Sequence, residues 1–376
     1  MNRYISHPRQ LAKKFPSSNY ALAPMRLAKI IICLFTVAGI FLIGWHFLYA
    51  ASEPGPQIYV FKQPTATTNT STAASQKITL IAVGDIMLSR NVEQKMINKK
   101  DWLYPFRETY QATTKGDIVF GNLETPIIEG PIVQTGTMVF RTDPQAIAGL
   151  EYGGFNILSL ANNHMKNQGE KGIASTIEEL DKAGIKHIGA GLNATEAGEP
   201  AIIEAKATTF GFLAYNDGSF SPASYEATES RSGSPFLNTE KLISDIQNLK
   251  SQADVIIVSM HAGTEYNLQP NQKQIDFAHT AIDNGAQLVI GHHPHVLEPY
   301  EKYNGGYIFY SLGNFIFDQM WSENTRHGAI AKIIFSQDRI ESFELTPVKI
   351  YDYSQPKIAE GTQAEEILSQ IQDFTK

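Results

Sequence analysis

The densest chemistry in the chain is GHHPH at residues 291–295, where His292, His293 and His295 crowd behind the apolar run Leu288–Ile290. Imidazoles at that spacing, stiffened by Pro294, can aim nitrogen lone pairs at one divalent ion. His293 and His295 are read as ligands, while His292 either turns outward or orients a neighbour. Other polar motifs follow apolar runs in the same way: GD with Asp85, GNLE with Asn122 and Glu124, NNH with Asn162, Asn163 and His164, and HAGTE with His261 and Glu265. Each has a plainer reading by itself. Asp85 serves equally as a helix cap, Glu124 as a loop carboxylate, the asparagines as caps and a lone histidine as structure. Taken together, Asp85, Glu124, Asn163, His164, His261, His293 and His295 are expected to form a metal site.

These motifs must be positioned by the elements before them. Strands are expected at 77–83, 117–120, 156–161, 253–260, 286–290 and 306–312, each ending at one of the motifs. Helical patterns lie between them at 170–184, 238–252 and 272–285, the first and last closing on glycine. Such alternation predicts an α/β fold with a largely parallel sheet, and open α/β sheets place their sites beyond the carboxyl ends of strands. Residues 329–350 read as further strands and 356–376 as a short helical tail.

The first 49 residues carry six basic side chains (Arg3, Arg9, Lys13, Lys14, Arg26 and Lys29) and no acid. Residues 30–51 then form an uncharged apolar run about long enough to cross a bilayer. A cleaved signal peptide shares this charge pattern but has a shorter apolar core, of roughly 7–15 residues. The expectation is a cytoplasmic leader at 1–29, a single transmembrane anchor at 30–51, a Ser/Thr/Pro-rich linker at 52–76, one domain at 77–350 outside the membrane and a tail at 351–376. Removing the six leader bases from a net charge of −7 leaves about −13, which argues against nucleic acid as a partner. The single cysteine, Cys33, lies in the apolar run, so a metal in the remaining part must use nitrogen and oxygen ligands.

In this order, GDIML, GNLE, NNH, HAGTEY, GHHPH and YSLGNFIFD resemble the CapA family of poly-γ-glutamate capsule synthesis proteins, over about Ile78 to Phe335. That family is similar to the calcineurin-like metallophosphoesterases. The resemblance implies an αββα sandwich with one or two divalent ions, Mn, Fe or Zn. It places Asp85 and His295 on the first metal, Glu124 at the bridging position, Asn163 and His261 on the second, and His293 with them. It implies that His164 gives a proton to the leaving group, and that Asn314 and Asp318 act in catalysis in a supporting or substrate-facing part. The implied role is making, exporting or attaching an anionic surface polymer beside membrane-bound synthase subunits. An acidic chain would then meet the polymer through its metal or through local cations such as Arg90, Arg141 and Arg326. The first motif departs from the phosphoesterase pattern, since Met87 stands where a histidine is usual.

Overall fold

The computed structural model describes residues 59–62 and 77–374. The leader, the expected anchor and most of the expected linker lie outside the described residues. Among the described residues, no helix is long and apolar enough to cross a membrane.

Along the chain run β1 (Tyr59–Lys62), β2 (Lys77–Ile86), α1 (Arg90–Lys99), α2 (Tyr110–Thr113), β3 (Ile118–Leu123), α3 (Ile147–Tyr152), β4 (Ile157–Ser159), α4 (Gly169–Lys182) and β5 (Lys186–Ile188). There follow α5 (Ala194–Ala197), β6 (Ala201–Ala205), β7 (Thr208–Asn216), α6 (Thr239–Leu249), β8 (Val255–His261), α7 (Gln272–Asp283) and β9 (Leu288–His292). The chain ends in β10 (Tyr300–Tyr303), β11 (Gly306–Phe309), β12 (Asn314–Ile316), β13 (His327–Ser336), β14 (Arg339–Tyr351), β15 (Gln355–Ile358) and α8 (Gly361–Leu368).

These strands make two sheets. The first has the order β1-β14-β13-β2-β3-β4-β5, with β12 beside β2 and β15 beside β14; the second has the order β10-β11-β9-β8-β7-β6. Each is parallel at its centre, through β2–β5 and through β7, β8, β9 and β11, with antiparallel strands at its margins. The largely parallel sheet read from the sequence is therefore two mixed sheets.

Three apolar clusters fix the layering. One joins inward residues of both sheets, among them Leu80, Phe120, Ile333, Phe212, Ile257 and Leu288. Phe120 stacks on Phe212 across this interface at 6.0 Å, and Phe210 meets Phe335 edge-on at 5.1 Å. The second cluster seats α1, α3 and α4 on the outer face of the first sheet through Val92, Leu150 and Ile173. The third seats α6 and α7 on the second sheet through Leu242, Ile246 and Phe277. Helix, sheet, sheet, helix is the expected αββα sandwich. Its central strands are buried on both faces, which is why they read as continuous apolar runs.

Two expected boundaries move. Strand β1 lies within 52–76 and pairs with β14. Of the segment 351–376, expected as a tail, residues 351–374 are part of the fold: β14 extends to Tyr351, β15 pairs with it, and Ala364, Ile367 and Ile371 enter the core between the sheets.

Helix α7 is tied to the histidine loop by a buried carboxyl. Gln274 Nε2 donates to Glu298 Oε2 at 2.7 Å, while Glu298 Oε1 is buried without a hydrogen-bond partner among the described residues. Burial outweighs the Gln274 bond and pushes the Glu298 pKa up to about 8. Folding therefore loses stability as pH rises from about 4.5, where the unfolded carboxyl ionises, toward 8, where the folded one does. Glu298→Gln, which keeps an acceptor for Gln274, should raise Tm at pH 8 and leave it nearly unchanged at pH 4. Each kcal/mol recovered is worth roughly 2–4 °C in a chain of this size. Equal shifts at both pH values in thermal melts would show that Glu298 titrates alike in the folded and unfolded chain.

Candidate metal centre

The carboxyl ends of the central strands of both sheets meet at one place. Asp85 stands near the end of β2, opposite Asn122 of β3 in the strand register, and His261 ends β8 beside His292 of β9. Gly84 makes the close approach possible: a Cβ there would lie 1.9 Å from the Gly313 carbonyl, which accepts from the Asp85 N–H at 3.0 Å. The histidine loop then turns through left-handed backbone at His293 (φ 99°) and His295 (φ 58°). Such conformations cost about 1–3 kcal/mol each and persist where surrounding bonds impose them. Here Ala262 N donates to His292 O at 3.0 Å, Tyr266 N to Pro294 O at 2.8 Å and His293 N to Asp85 Oδ2 at 3.3 Å.

Two groups of side chains have ligand atoms that all lie within 4.8 Å of one another: Asp85, Glu124 and His261, and Glu265, His293 and His295. All but Glu265 are buried. Asp85 has abundant donors. Asn122 Nδ2 is 2.8 Å from its Oδ1 and His295 Nδ1 is 3.3 Å from its Oδ2, while His292 Nδ1 stands 3.4 Å from Oδ1 without good alignment. Burial works to raise the Asp85 pKa, but His292 and His295 hold it well below the usual carboxylate range. Glu124 is the opposite case, pushed well up by burial and by the Asp85 charge. Among the described residues, buried Glu124 Oε2 and His293 Nδ1 have no hydrogen-bond partner.

The histidines differ in charge. Burial, helped by its neighbours His293 and His295 respectively, lowers the pKa of His261 far below its ordinary value and that of His293 to about 3. Both present neutral rings. Burial also acts against a charge on His295, yet Glu124 and Asp85 outweigh it and hold its pKa up at about 9. Asn314 sets the His295 tautomer. Its Nδ2 is committed to the carbonyls of Thr325 at 2.8 Å and His295 at 3.3 Å, so its Oδ1 faces His295 Nδ1 at 3.0 Å and leaves Nε2 for a cation. A neutral His293 with an unpartnered nitrogen, an oriented His295 and the Glu265 carboxylate are a donor set that fits Zn, Mn or Fe.

His164 lies beside this set. Its ring stacks on Phe140 at 4.0 Å, and its Nδ1 meets Asn167 Oδ1 at 3.0 Å. The same oxygen accepts from Phe140 N at 2.8 Å, so His164 Nδ1 carries the proton and Nε2 a lone pair. Burial lowers its pKa to about 4. His164 is therefore neutral, a proton acceptor at Nε2 until it has gained a proton.

The remaining expected residues fall in supporting places. Asn163 Oδ1 lies 3.0 Å from His261 Nε2. Asp318, expected in catalysis, is a buried ion-pair partner of Arg90 and accepts from Asn91 N, so it acts through Arg90. Asn314, also expected in catalysis, acts through His295. The candidate surface cations are corrected too. Arg90 and Arg141 are buried, the second paired with Glu93 at 2.9 Å, and Arg326 pairs with Glu323 at 2.6 Å.

Several participants were not assigned from the sequence. Asn122 carries the central hydrogen bonds, Asn162 holds Asn122, Glu265 joins the histidine pair, and Phe220 stacks on His293 at 3.6 Å and 10°. The signal for Asn122 was its alignment with Asp85 at the end of a neighbouring strand.

Residues 79–319 match the family model described as bacterial capsule synthesis protein PGA_cap. The chain belongs to that family. Within this capsule synthesis family, the chain is 29% identical to the Bacillus anthracis capsule biosynthesis protein CapA over 305 residues, covering 79% of this chain and 73% of the relative. It is 29% identical to the Bacillus subtilis PGA biosynthesis protein CapA over 340 residues, covering 90% and 85%. The solved NAD nucleotidase of Haemophilus influenzae is similar over 78% of this chain and 62% of its own, at 11% identity and a TM-score of 0.46.

A ligand nitrogen that starts protonated ties metal uptake to pH. Because His295 holds its proton to about pH 9, the apparent affinity for Mn or Zn should rise about tenfold per pH unit between pH 6 and 8. Calorimetric titration of the folded protein at several pH values measures this, and a flat profile would remove His295 from the ligand set.

Proposed function

We propose that the protein is a membrane-anchored, extracytoplasmic component of poly-γ-glutamate or similar surface-polymer synthesis, with a metal-dependent hydrolase centre acting on the polymer. Membership of the capsule synthesis family and the names of the two Bacillus relatives support the polymer. The apolar run at 30–51 after a basic leader supports the anchor. One observation carries the chemistry: buried lone pairs on Glu124 and His293 without partners among the described residues, at a junction of two sheets where Asp85 and three neutral or orientable imidazoles converge.

On this reading His293, His295 and Glu265 would hold a divalent ion, with the Asp85 carboxylate supplying negative charge behind it. Such an ion supplies a polarised substrate oxygen and a water of lowered pKa. The chain's own residues do the rest. His164 takes a proton at Nε2 and returns it to the departing group, its ring fixed by Phe140 and Asn167. Arg90, Arg141 and Arg326 are engaged with Asp318, Glu93 and Glu323, so at the centre itself a bound metal would be the receptor for polymer carboxylates.

A binding subunit that holds polymer without cutting it is the second reading. It is favoured by Met87, a poor ligand for a hard ion, at the first motif. The full-length protein, with Mn supplied, should shorten γ-linked oligoglutamate on gels, and His293→Ala should lose at least 100-fold of that rate. Polymer retained but uncut by the metal-loaded protein would favour the binding subunit.

A further inference from the structure

We infer that Asn122 takes the place of a second cation, so that the centre binds one divalent ion, at Glu265, His293 and His295. The inference rests on the metal reading above.

The argument begins with Asn162, whose amide has one possible orientation. Its Oδ1 accepts from the backbone N–H groups of His164 at 3.1 Å and Met165 at 2.9 Å. Its Nδ2 donates to the Leu123 carbonyl at 2.9 Å. Reversing this amide would set N–H against N–H and oxygen against oxygen. Asn162 Nδ2 therefore also donates to Asn122 Oδ1, at 3.1 Å. That bond turns the Asn122 Nδ2 hydrogens the other way.

Asn122 Nδ2 faces the first group of ligand atoms. It lies 2.8 Å from Asp85 Oδ1, 3.4 Å from Glu124 Oε1 and 3.2 Å from His261 Nδ1. An amide nitrogen there offers two partly positive hydrogens and no lone pair for a metal. With Nδ1 accepting, neutral His261 carries its proton on Nε2 and donates to Asn163 Oδ1 at 3.0 Å. The two residues expected to hold the second metal are thus bonded to each other.

Among the described residues, no side-chain amide donates between the ligand atoms of the second group as Asn122 does in the first. His293 Nδ1 is without a partner among the described residues, and Asn314 holds His295 by Nδ1. For an ion to enter between Asp85, Glu124 and His261, Asn122 would have to turn its oxygen inward. That would leave Asn162 Nδ2 facing Asn122 Nδ2, two buried donors set against each other.

The test is metal content. The full-length protein, loaded with Mn and dialysed, is expected to keep one equivalent by elemental analysis, with the electron paramagnetic resonance of an isolated ion. His293→Ala should lose that equivalent. Asn122→Asp replaces the donor with a carboxylate and should bind two, with a spin-coupled signal. Two equivalents in the wild type would overturn the inference while leaving the hydrolase reading intact; none in the folded wild type would overturn both. A folded Asn122→Asp that binds only one would also overturn it. Should that variant not fold, the wild-type stoichiometry decides by itself.

Discussion

A fully buried carboxylate at the seam of two sheets is the constraint from which the rest of this structure follows. Asp85 has no access to water, and an isolated charge in such a place would take up a proton. It stays ionised because donors reach it from both sides: Asn122 from the first sheet, and the His293 N–H and His295 from the second, with the His292 ring close by. Each sheet alone would leave the charge half-solvated by protein. The pairing of the sheets and the ionisation of Asp85 are consequently one problem. The apolar cluster holding the sheets together through Phe120 and Phe212 lies directly under the site that needs them joined.

The same economy appears in the three asparagines that aim the reactive groups. Side-chain amides are ambiguous by shape, since their two ends differ only in hydrogen-bond sense. Backbone groups remove the ambiguity here. Two N–H groups fix Asn162, two carbonyls fix Asn314, and the Phe140 N–H fixes the oxygen of Asn167. The amides so fixed then dictate the direction of Asn122, the tautomer of His295 and the tautomer of His164. Left-handed backbone at His293 and His295 is tolerable for a related reason, because the loop is held from β2, from the segment after β8 and from its own carbonyls.

The sequence made most of this centre visible, for a physical reason. A polar residue directly after a doubly buried strand has no core to join, so Asp85, Glu124, His164, His261, His293 and His295 stood out against the runs before them. Asn122 did not, because it lies inside β3 and an asparagine there resembles a strand-end cap. Phe220 was hidden because β7 was not recognised and an aromatic ring in a loop carries no sign of what it stacks on. Arg141 and Arg90 were misplaced because their sequence neighbours gave no hint of partners 48 and 228 residues away, Glu93 and Asp318. The C-terminal segment failed for the same reason, since its apolar residues pack into a core formed by distant strands.

Charge placement links these particulars to the proposed polymer. A net charge near −13 over residues 50–376 repels a polyanion at long range, and salt screening shortens that repulsion to about 8–10 Å. Attraction must then be local. Arg90, Arg141 and Arg326 are engaged with Asp318, Glu93 and Glu323, the first two in buried pairs, and Arg90 lies over the Phe140 ring on which His164 stacks. These three guanidinium charges serve geometry, which on the proposed reading leaves a bound metal as the receptor for anions at the centre. On the proposed reading this restricts strong contact to the few polymer groups at the centre itself, which suits cutting or capping one bond better than gripping a long chain.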